Sequence, residues 1–184
     1  KAVYQSTDGG IYHGPNVSPS EKFLRKITVQ AKSANTTSLA PMNAVLLDYL
    51  LYYPSIDDGT TDEQIMDNTV TLPRYTNGEG VQMMAVTTGT RTGGQSFTVK
   101  YTNSDGVTGQ ISGTCVQNAT AYIGAITNSD RAIGNSASWM IPLASGDKGV
   151  RYIESVTMNG TDTGLFTLIL VKPIAQTCFV ESAI

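Results

Sequence analysis

The side chains of this chain that could do chemistry are few, and their spacing argues against a reactive centre. His13 is the one histidine among 184 residues. It sits in Ile11-Tyr12-His13-Gly14-Pro15, a loop by composition, whereas a Ser–His–acid triad needs an imidazole held rigidly between nucleophile and carboxylate. With a single histidine, Cys115 and Cys178 form no cluster at zinc-ligand spacing. Two cysteines do not make a disulfide framework either. Buried thiols are the default for such residues, and a bridge between the two stays open.

Carboxylates gather only in Asp57-Asp58-Gly59-Thr60-Thr61-Asp62-Glu63. That loop offers the several oxygens a calcium ion takes, but it lacks the spaced EF-hand pattern. A solvated loop leading into a helical turn is the simpler reading. Glu79 or Glu154 could partner it in a glycosidase, a chemistry that requires two carboxylates facing each other across a cleft. Gly89-Thr90-Arg91-Thr92-Gly93-Gly94 lacks the Gly-Lys-Ser/Thr ending of a phosphate-binding loop and reads as a hairpin loop. Tyr49, Tyr52 and Tyr53 could stack on sugar rings, although such residues more often fill a core or an interface. The glycosylation-type matches at Asn16, Asn35, Asn118 and Asn159 are what chance supplies in an Asn- and Thr-rich chain. The expectation is a protein without catalytic residues, metal site or cofactor, and not an enzyme.

The elements that would carry these residues are set by composition and period. Apolar residues make up 40% of the chain and charged residues 15%, the latter well below the usual quarter. Thr, Ser, Asn and Gly fill the difference, which suits strands and turns better than exposed helices. The formal net charge is −3 and the twelve basic residues are scattered, so no polyanion footprint forms and nucleic acid is not an expected partner. Lys22, Arg25 and Lys26 read as a solvated strand edge or arm. The apolar run from Leu165 to Val171 is too short to cross a bilayer, and no signal-like start is present. A soluble protein made in a reducing compartment, with no membrane partner, is expected.

Residues 1–20 hold Gly9, Gly10, Gly14, Pro15 and Pro19 without a hydrophobic period, which predicts an extended N-terminal arm. Residues 21–184 then form one β-sandwich domain. Phe23-Leu24-Arg25-Lys26-Ile27-Thr28-Val29 is the first strand candidate, followed by a polar loop at 33–38. Ala44-Val45-Leu46-Leu47-Asp48-Tyr49-Leu50-Leu51-Tyr52-Tyr53 is the second, stopped by Pro54. Asp62 to Met66 suggests one helical turn capped by Thr61.

Strands are expected over 81–88 and in Phe97-Thr98-Val99-Lys100-Tyr101, whose strict alternation lines one face. The turn Asn103-Ser104-Asp105-Gly106 leads back into 107–116 as a hairpin. Shorter strands are expected at 121–126 and in Trp139-Met140-Ile141-Pro142-Leu143. A second hairpin pairs 150–158 with 165–172 across Asn159-Gly160-Thr161-Asp162-Thr163-Gly164. Its last strand is apolar almost throughout and so central, covered on both faces. About eight short strands between Gly/Asn/Asp turns give an all-β, antiparallel sandwich, and a jelly-roll is one eight-stranded solution.

Three stretches carry a likeness to a known group. They are Leu47-Asp48-Tyr49-Leu50-Leu51-Tyr52-Tyr53-Pro54-Ser55-Ile56-Asp57; Met66-Asp67-Asn68-Thr69-Val70-Thr71-Leu72-Pro73-Arg74-Tyr75-Thr76-Asn77-Gly78-Glu79-Gly80-Val81; and Gly149-Val150-Arg151-Tyr152-Ile153-Glu154-Ser155-Val156 with Leu168-Ile169-Leu170-Val171-Lys172-Pro173-Ile174-Ala175. Together, across residues 20–175, the chain resembles virion structural proteins of tailed bacteriophages. The resemblance implies a particle component, assembled in the host cytoplasm, that packs against the major capsid protein and neighbouring copies of itself. Capsid decoration or cement is the favoured role, with tail, neck or fibre as the alternative. A carbohydrate-binding sandwich using the tyrosines, and calcium at Asp57, Asp58 and Asp62, is the reading from another class. A small hydrolase built on Glu79, Glu154 and the acidic loop is a third. Residues 1–20 and 55–74 are the expected contact regions.

Overall fold

The computed structural model describes residues 2–3, 10–12, 14–15, 17–27, 42–117, 122–126 and 139–179. His13, the loop at 33–38 and the asparagines Asn16, Asn35 and Asn118 lie outside them. The chain divides into two compact units, Lys1–Tyr4 with Asp48–Lys172, and Gln5–Leu47 with Pro173–Ile184. In the second unit, the described stretches between 10 and 27 have no regular secondary structure, and 42–47 and 173–179 are strand ends.

The described residues form strands and no helix: β1 (Ala2–Val3), β2 (Met42–Asp57), β3 (Gln64–Ile65), β4 (Gln82–Gly89), β5 (Ser96–Asn103), β6 (Gln110–Ile111), β7 (Cys115–Val116), β8 (Val150–Met158) and β9 (Leu165–Phe179). One sheet has the order β1-β2-β9-β4. The other has β3-β8-β5-β6, with β7 also on β5. The fold is an all-β, two-sheet antiparallel arrangement. Four pairings nest inside one another along the chain: β2 with β9, β3 with β8, Val86 with Ile126, and β5 with β6 and β7.

Alternation explains which side chains meet. Phe97, Val99 and Tyr101 of β5 are fully buried, while Thr98 and Lys100 between them are partly exposed, as a pleated strand with one core face requires. The other sheet contributes Tyr53, Met83, Ala85, Phe166, Leu168 and Leu170 to the same apolar cluster. The two sheets touch where the Phe97 and Phe166 rings lie 5.0 Å apart between centroids, tilted by 44°. Thr167, Ile169 and Val171, which point the other way along β9, are buried too. The run is therefore central and covered on both faces, as its apolar continuity predicts.

The hairpin after β5 forms at the expected turn, with Gly106 at φ 83° donating to Asn103 O, but the return stretch 107–116 is not one strand: it pairs with β5 only as the two short pieces β6 and β7. The second expected hairpin does not form. β8 pairs with β5 and β3, and β9 pairs with β2 and β4, so the turn at 159–164 carries the chain from one sheet to the other. Pro54 does not stop β2, which continues to Asp57 with Ser55 in the left-handed region at φ 62°. A Pro there costs one ladder donor and no more, and Pro54 is exposed. The turn expected at 62–66 is instead β3, pairing Gln64 with Val156 and Ile65 with Ser155.

Residues 23–27 form no strand. Phe23 is 83% exposed, and no ladder among the described residues includes them. Residues 122–126 make a turn with a single bridge at Ile126, and 139–143 lie outside any strand while Ile141 donates to Met83 O. Ala2 and Val3, placed by composition in the arm, pair with Tyr52 and Leu51.

β8 carries two extra residues against β5. Its register shifts by one between Lys100 and Tyr101 and again between Thr102 and Asn103, leaving Glu154 and Arg151 without a partner across the ladder. A bulge re-aims the extra side chain. Glu154 accepts from Thr102 Oγ1 at 2.7 Å and Gly109 N at 2.9 Å, and Arg151 donates to Ser104 O and Asn77 O. Both charges thus anchor loops.

Phe166→Ala should destabilise the protein by about 3–5 kcal/mol in urea unfolding, the usual cost of emptying a packed aromatic site. Phe23→Ala should stay within about 0.5 kcal/mol, as expected for an exposed side chain.

Candidate functional site

Three segments that look unrelated in sequence meet at one place: the acidic loop after β2, the glycine-rich loop between β4 and β5, and the turn between β8 and β9. Backbone bonds tie the first to the third, with Asp58 N donating to Gly164 O at 3.1 Å and Asp162 N to Asp58 O at 2.7 Å. Thr92 Oγ1 lies 3.0 Å from Thr163 Oγ1, joining the second to the third. Two glycines make the approach possible. A Cβ on Gly93 would fall 1.4 Å from Asp162 Oδ2. Gly164, at φ 147°, brings its Cα so near that a Cβ would sit 2.7 Å from Arg91 Cβ and 2.8 Å from Asp58 Oδ2. At Gly164 the positive φ and the Arg91 Cβ leave no room for a side chain, whereas a side chain at Gly93 would have to displace the Asp162 carboxylate.

At the centre Asp58 and Arg91 are sealed from solvent, both side chains 0% exposed, with Nε 3.3 Å from Oδ2. Gln117 Nε2 donates to Asp58 Oδ1 at 2.8 Å, and the Arg91 guanidinium lies 5.7 Å from the centre of the Phe166 ring. Asp58 Oδ2, all three Arg91 nitrogens and Gln117 Oε1 make no hydrogen bond. Such a pair is under-compensated, because two charges have left water for one ion contact and one good hydrogen bond. Burial pushes the Asp58 carboxyl above its ordinary value of 3.8, against the pull of Gln117 and Arg91. Burial likewise lowers Arg91. The arrangement holds loops together and offers no surface to a substrate.

The remaining sequence candidates are dispersed. Asp57 Oδ1 accepts from Gly59 N, and Glu63 Oε1 accepts from Ser155 Oγ at 2.6 Å and faces Lys100 at 3.7 Å. Glu154 is committed to the β5–β6 loop. Glu79 offers its backbone oxygen to Lys172 Nζ at 2.6 Å. Among the described residues no three His, Cys, Asp or Glu side chains converge as a metal site would require.

Tyr53 is buried, donating to Asn68 Oδ1 and accepting from Ile153 N. Its neighbour Tyr52 points to the opposite face of the strand, so the three tyrosines do not share one stacking platform. Cys115 is buried, its thiol 3.6 Å from Gly113 O, while the side chain of Cys178 lies outside the described part. Asn159 donates to Ser96 Oγ.

Sequence reasoning misses two features. Arg91 sits in a glycine-rich loop that composition marks as solvent-exposed, and only its isolation among small residues hints at close packing. The second is a shallow open groove of about 240 Å³. It is lined by Tyr53, Pro54, Ser55, Gln64, Ile65, Met66 and Asp67, and Ile65 there is 73% exposed.

No protein-family model, curated protein or solved structure matches the chain.

Arg91→Met should cost about 3–5 kcal/mol at neutral pH, since it strands a buried carboxylate, and adding Asp58→Asn should recover part of the loss. The pH dependence has a definite sign. The folded state holds the Asp58 proton more tightly than the unfolded chain, so this group favours folding below about pH 4, and the contribution disappears as pH rises through the raised folded value. The stability of the wild type relative to Asp58→Asn should therefore fall as pH is raised from about 4, in urea titrations at stepped pH.

Proposed function

We propose that this protein is a structural component of a tailed-bacteriophage particle, acting as a decoration or cement protein on the lattice of the major capsid protein. The observation that carries the reading is a segment without regular structure that leaves large apolar side chains in water. Ile11 is 79% exposed, Tyr12 85% and Phe23 83%, in stretches without regular structure. Exposed apolar groups clustered on one segment mark a contact surface, and a segment that orders on a partner can cover a wide area of it.

The order of the strands supports a jelly-roll. A chain of eight strands folded as one long hairpin pairs first with eighth, second with seventh, third with sixth and fourth with fifth. Rolling that hairpin brings alternate pairs into the same sheet. The nested pairings of β2 with β9, β3 with β8, β4 with Ile126, and β5 with β6 and β7 fit that scheme, and so do the neighbour orders β2-β9-β4 and β3-β8-β5-β6, with β1 added outside it. The likeness of 47–57, 66–81 and 149–156 to phage virion proteins points the same way.

The physical action is mass action on an assembled shell. A protein that binds only the joined state of its neighbours stabilises that state, and many copies multiply modest contacts. The loop at 66–80 is braced for such a contact. Arg74 pairs with Asp48, and Lys172 lies 5.0 Å above the Tyr75 ring.

Particles lacking this protein should open at a lower temperature than complete ones, and adding the purified chain back should restore the difference. A variant with residues 10–20 removed, which keeps β1 in place, should stay folded by circular dichroism and bind particles more weakly. Unchanged binding would take the arm out of the contact.

A further inference from the structure

We propose that residues 21–27 of one copy add as a strand to the outer edge of β3 in a neighbouring copy, seating an apolar side chain in the groove beside Ile65. The inference rests on the assembly reading above and names the surface through which copies of the chain meet.

The first observation is the edge. Among the described residues β3 ends the second sheet, in the order β3-β8-β5-β6. Met66 N donates to Glu154 O, and Gln64 faces Val156. In an antiparallel ladder successive residues turn their N–H and C=O alternately toward and away from the partner, so the backbone groups of Ile65 point outward. An outward N–H and C=O on an edge strand are what another chain can pair with, and here a two-residue strand offers those of Ile65, so the side-chain contacts must supply the rest.

The second observation is the chemistry of the groove. Its apolar lining includes Pro54, Ile65 and Met66, and its own polar groups are largely engaged. Gln64 exchanges two hydrogen bonds with the backbone of Asp57, and Asp67 accepts from Thr69 N and Oγ1. The carboxylate among its lining residues is Asp67, and Asp57 and Asp62, in the loop that leads into β3, are exposed as well, so the rim and its approach are acidic.

The third observation is a segment of the same chain with the complementary pattern. Glu21-Lys22-Phe23-Leu24-Arg25-Lys26-Ile27 carries three cations against one anion, and residues 21–26 are exposed without regular structure. Phe23 is 83% and Leu24 49% exposed. In an extended strand Glu21, Phe23, Arg25 and Ile27 share one face, and Lys22, Leu24 and Lys26 share the other. Whichever face turns to the groove, at least one apolar side chain meets its apolar lining and at least one cation meets its acidic side. Apolar lining against apolar side chain, and acidic rim against basic flank, is the complementarity that fixes partner and register. The contact joins two different surfaces of the chain. It is therefore heterologous, generating a ring or an extended array according to the rotation between copies.

Sedimentation velocity on the full chain tests this. The weight-average mass should rise with protein concentration and fall with added salt. Arg25→Glu with Lys26→Glu should weaken association at least about tenfold. Asp62→Lys with Asp67→Lys should do the same. Mixing the two reversed variants should restore association between them, since each then offers the surface the other lacks. If the groove variant loses its circular dichroism spectrum, Ile65→Ser takes its place and should also weaken association.

Self-association that neither pair of reversals weakens would overturn the arm contact while leaving the particle reading intact. A chain that stays monomeric at every concentration also overturns the contact between copies. So does a monomer whose segment 21–27 resists protease only while the groove is unmodified, since the arm then lies in its own groove. The particle reading is judged separately, by the heat stability of particles with and without the chain.

Discussion

The contact between Phe97 and Phe166 is the constraint on which the rest of this structure depends. The two rings come from different sheets, and each sheet has an apolar face that water disfavours. Burying a single such ring is worth about 1.5–3 kcal/mol, and the facing residues of β2, β4, β5, β8 and β9 extend the same gain across one core. Once these faces meet, every strand has its inner and outer sides fixed. The polar alternates Thr98 and Lys100 then face outward, and the charged extras on β8 are turned toward loops. The nested pairings are the chain's way of bringing distant segments to this one interface without crossing.

The buried Asp58–Arg91 pair plays a different part. With five polar atoms of the pair and Gln117 lacking a hydrogen bond, it does not add to stability as the aromatic contact does; burial outweighs attraction for both partners. What it does is specify. Arg91 in the β4–β5 loop is held beside Asp58 and against Phe166, and Gly93 and Gly164 let the neighbouring turns close over it. A buried charge that finds its counter-charge in one arrangement penalises every other arrangement of those three loops. These three loops are therefore held in place where composition alone suggests loose glycine-rich chain.

Much of the body is legible from residue order. The alternation of Phe97, Val99 and Tyr101 announces a half-buried strand, and the run from Leu165 to Val171, apolar but for Thr167, announces one covered on both sides. The sheet switch between β8 and β9 is not legible, because Asn159 to Gly164 is a turn sequence in either topology and only the distant partners of each strand decide between them. Pro54 misleads because proline's missing donor matters only where a partner would accept it. Phe23 to Ile27 misleads because its residues favour strands, yet the described structure gives them no ladder neighbour. The meeting of Asp58, Arg91 and Gln117 lies beyond sequence reasoning, since nothing local links positions so far apart in the chain.

The result is a body whose polar groups mostly serve its own loops, together with a segment that exposes apolar and basic side chains. That division suits a protein whose work is contact. The central claim is that the contact is made on a phage shell. Imaging purified particles carrying a label on this protein tests it most directly. The account predicts label at regular positions over the capsid surface; particles bearing no label on shell or tail would contradict it.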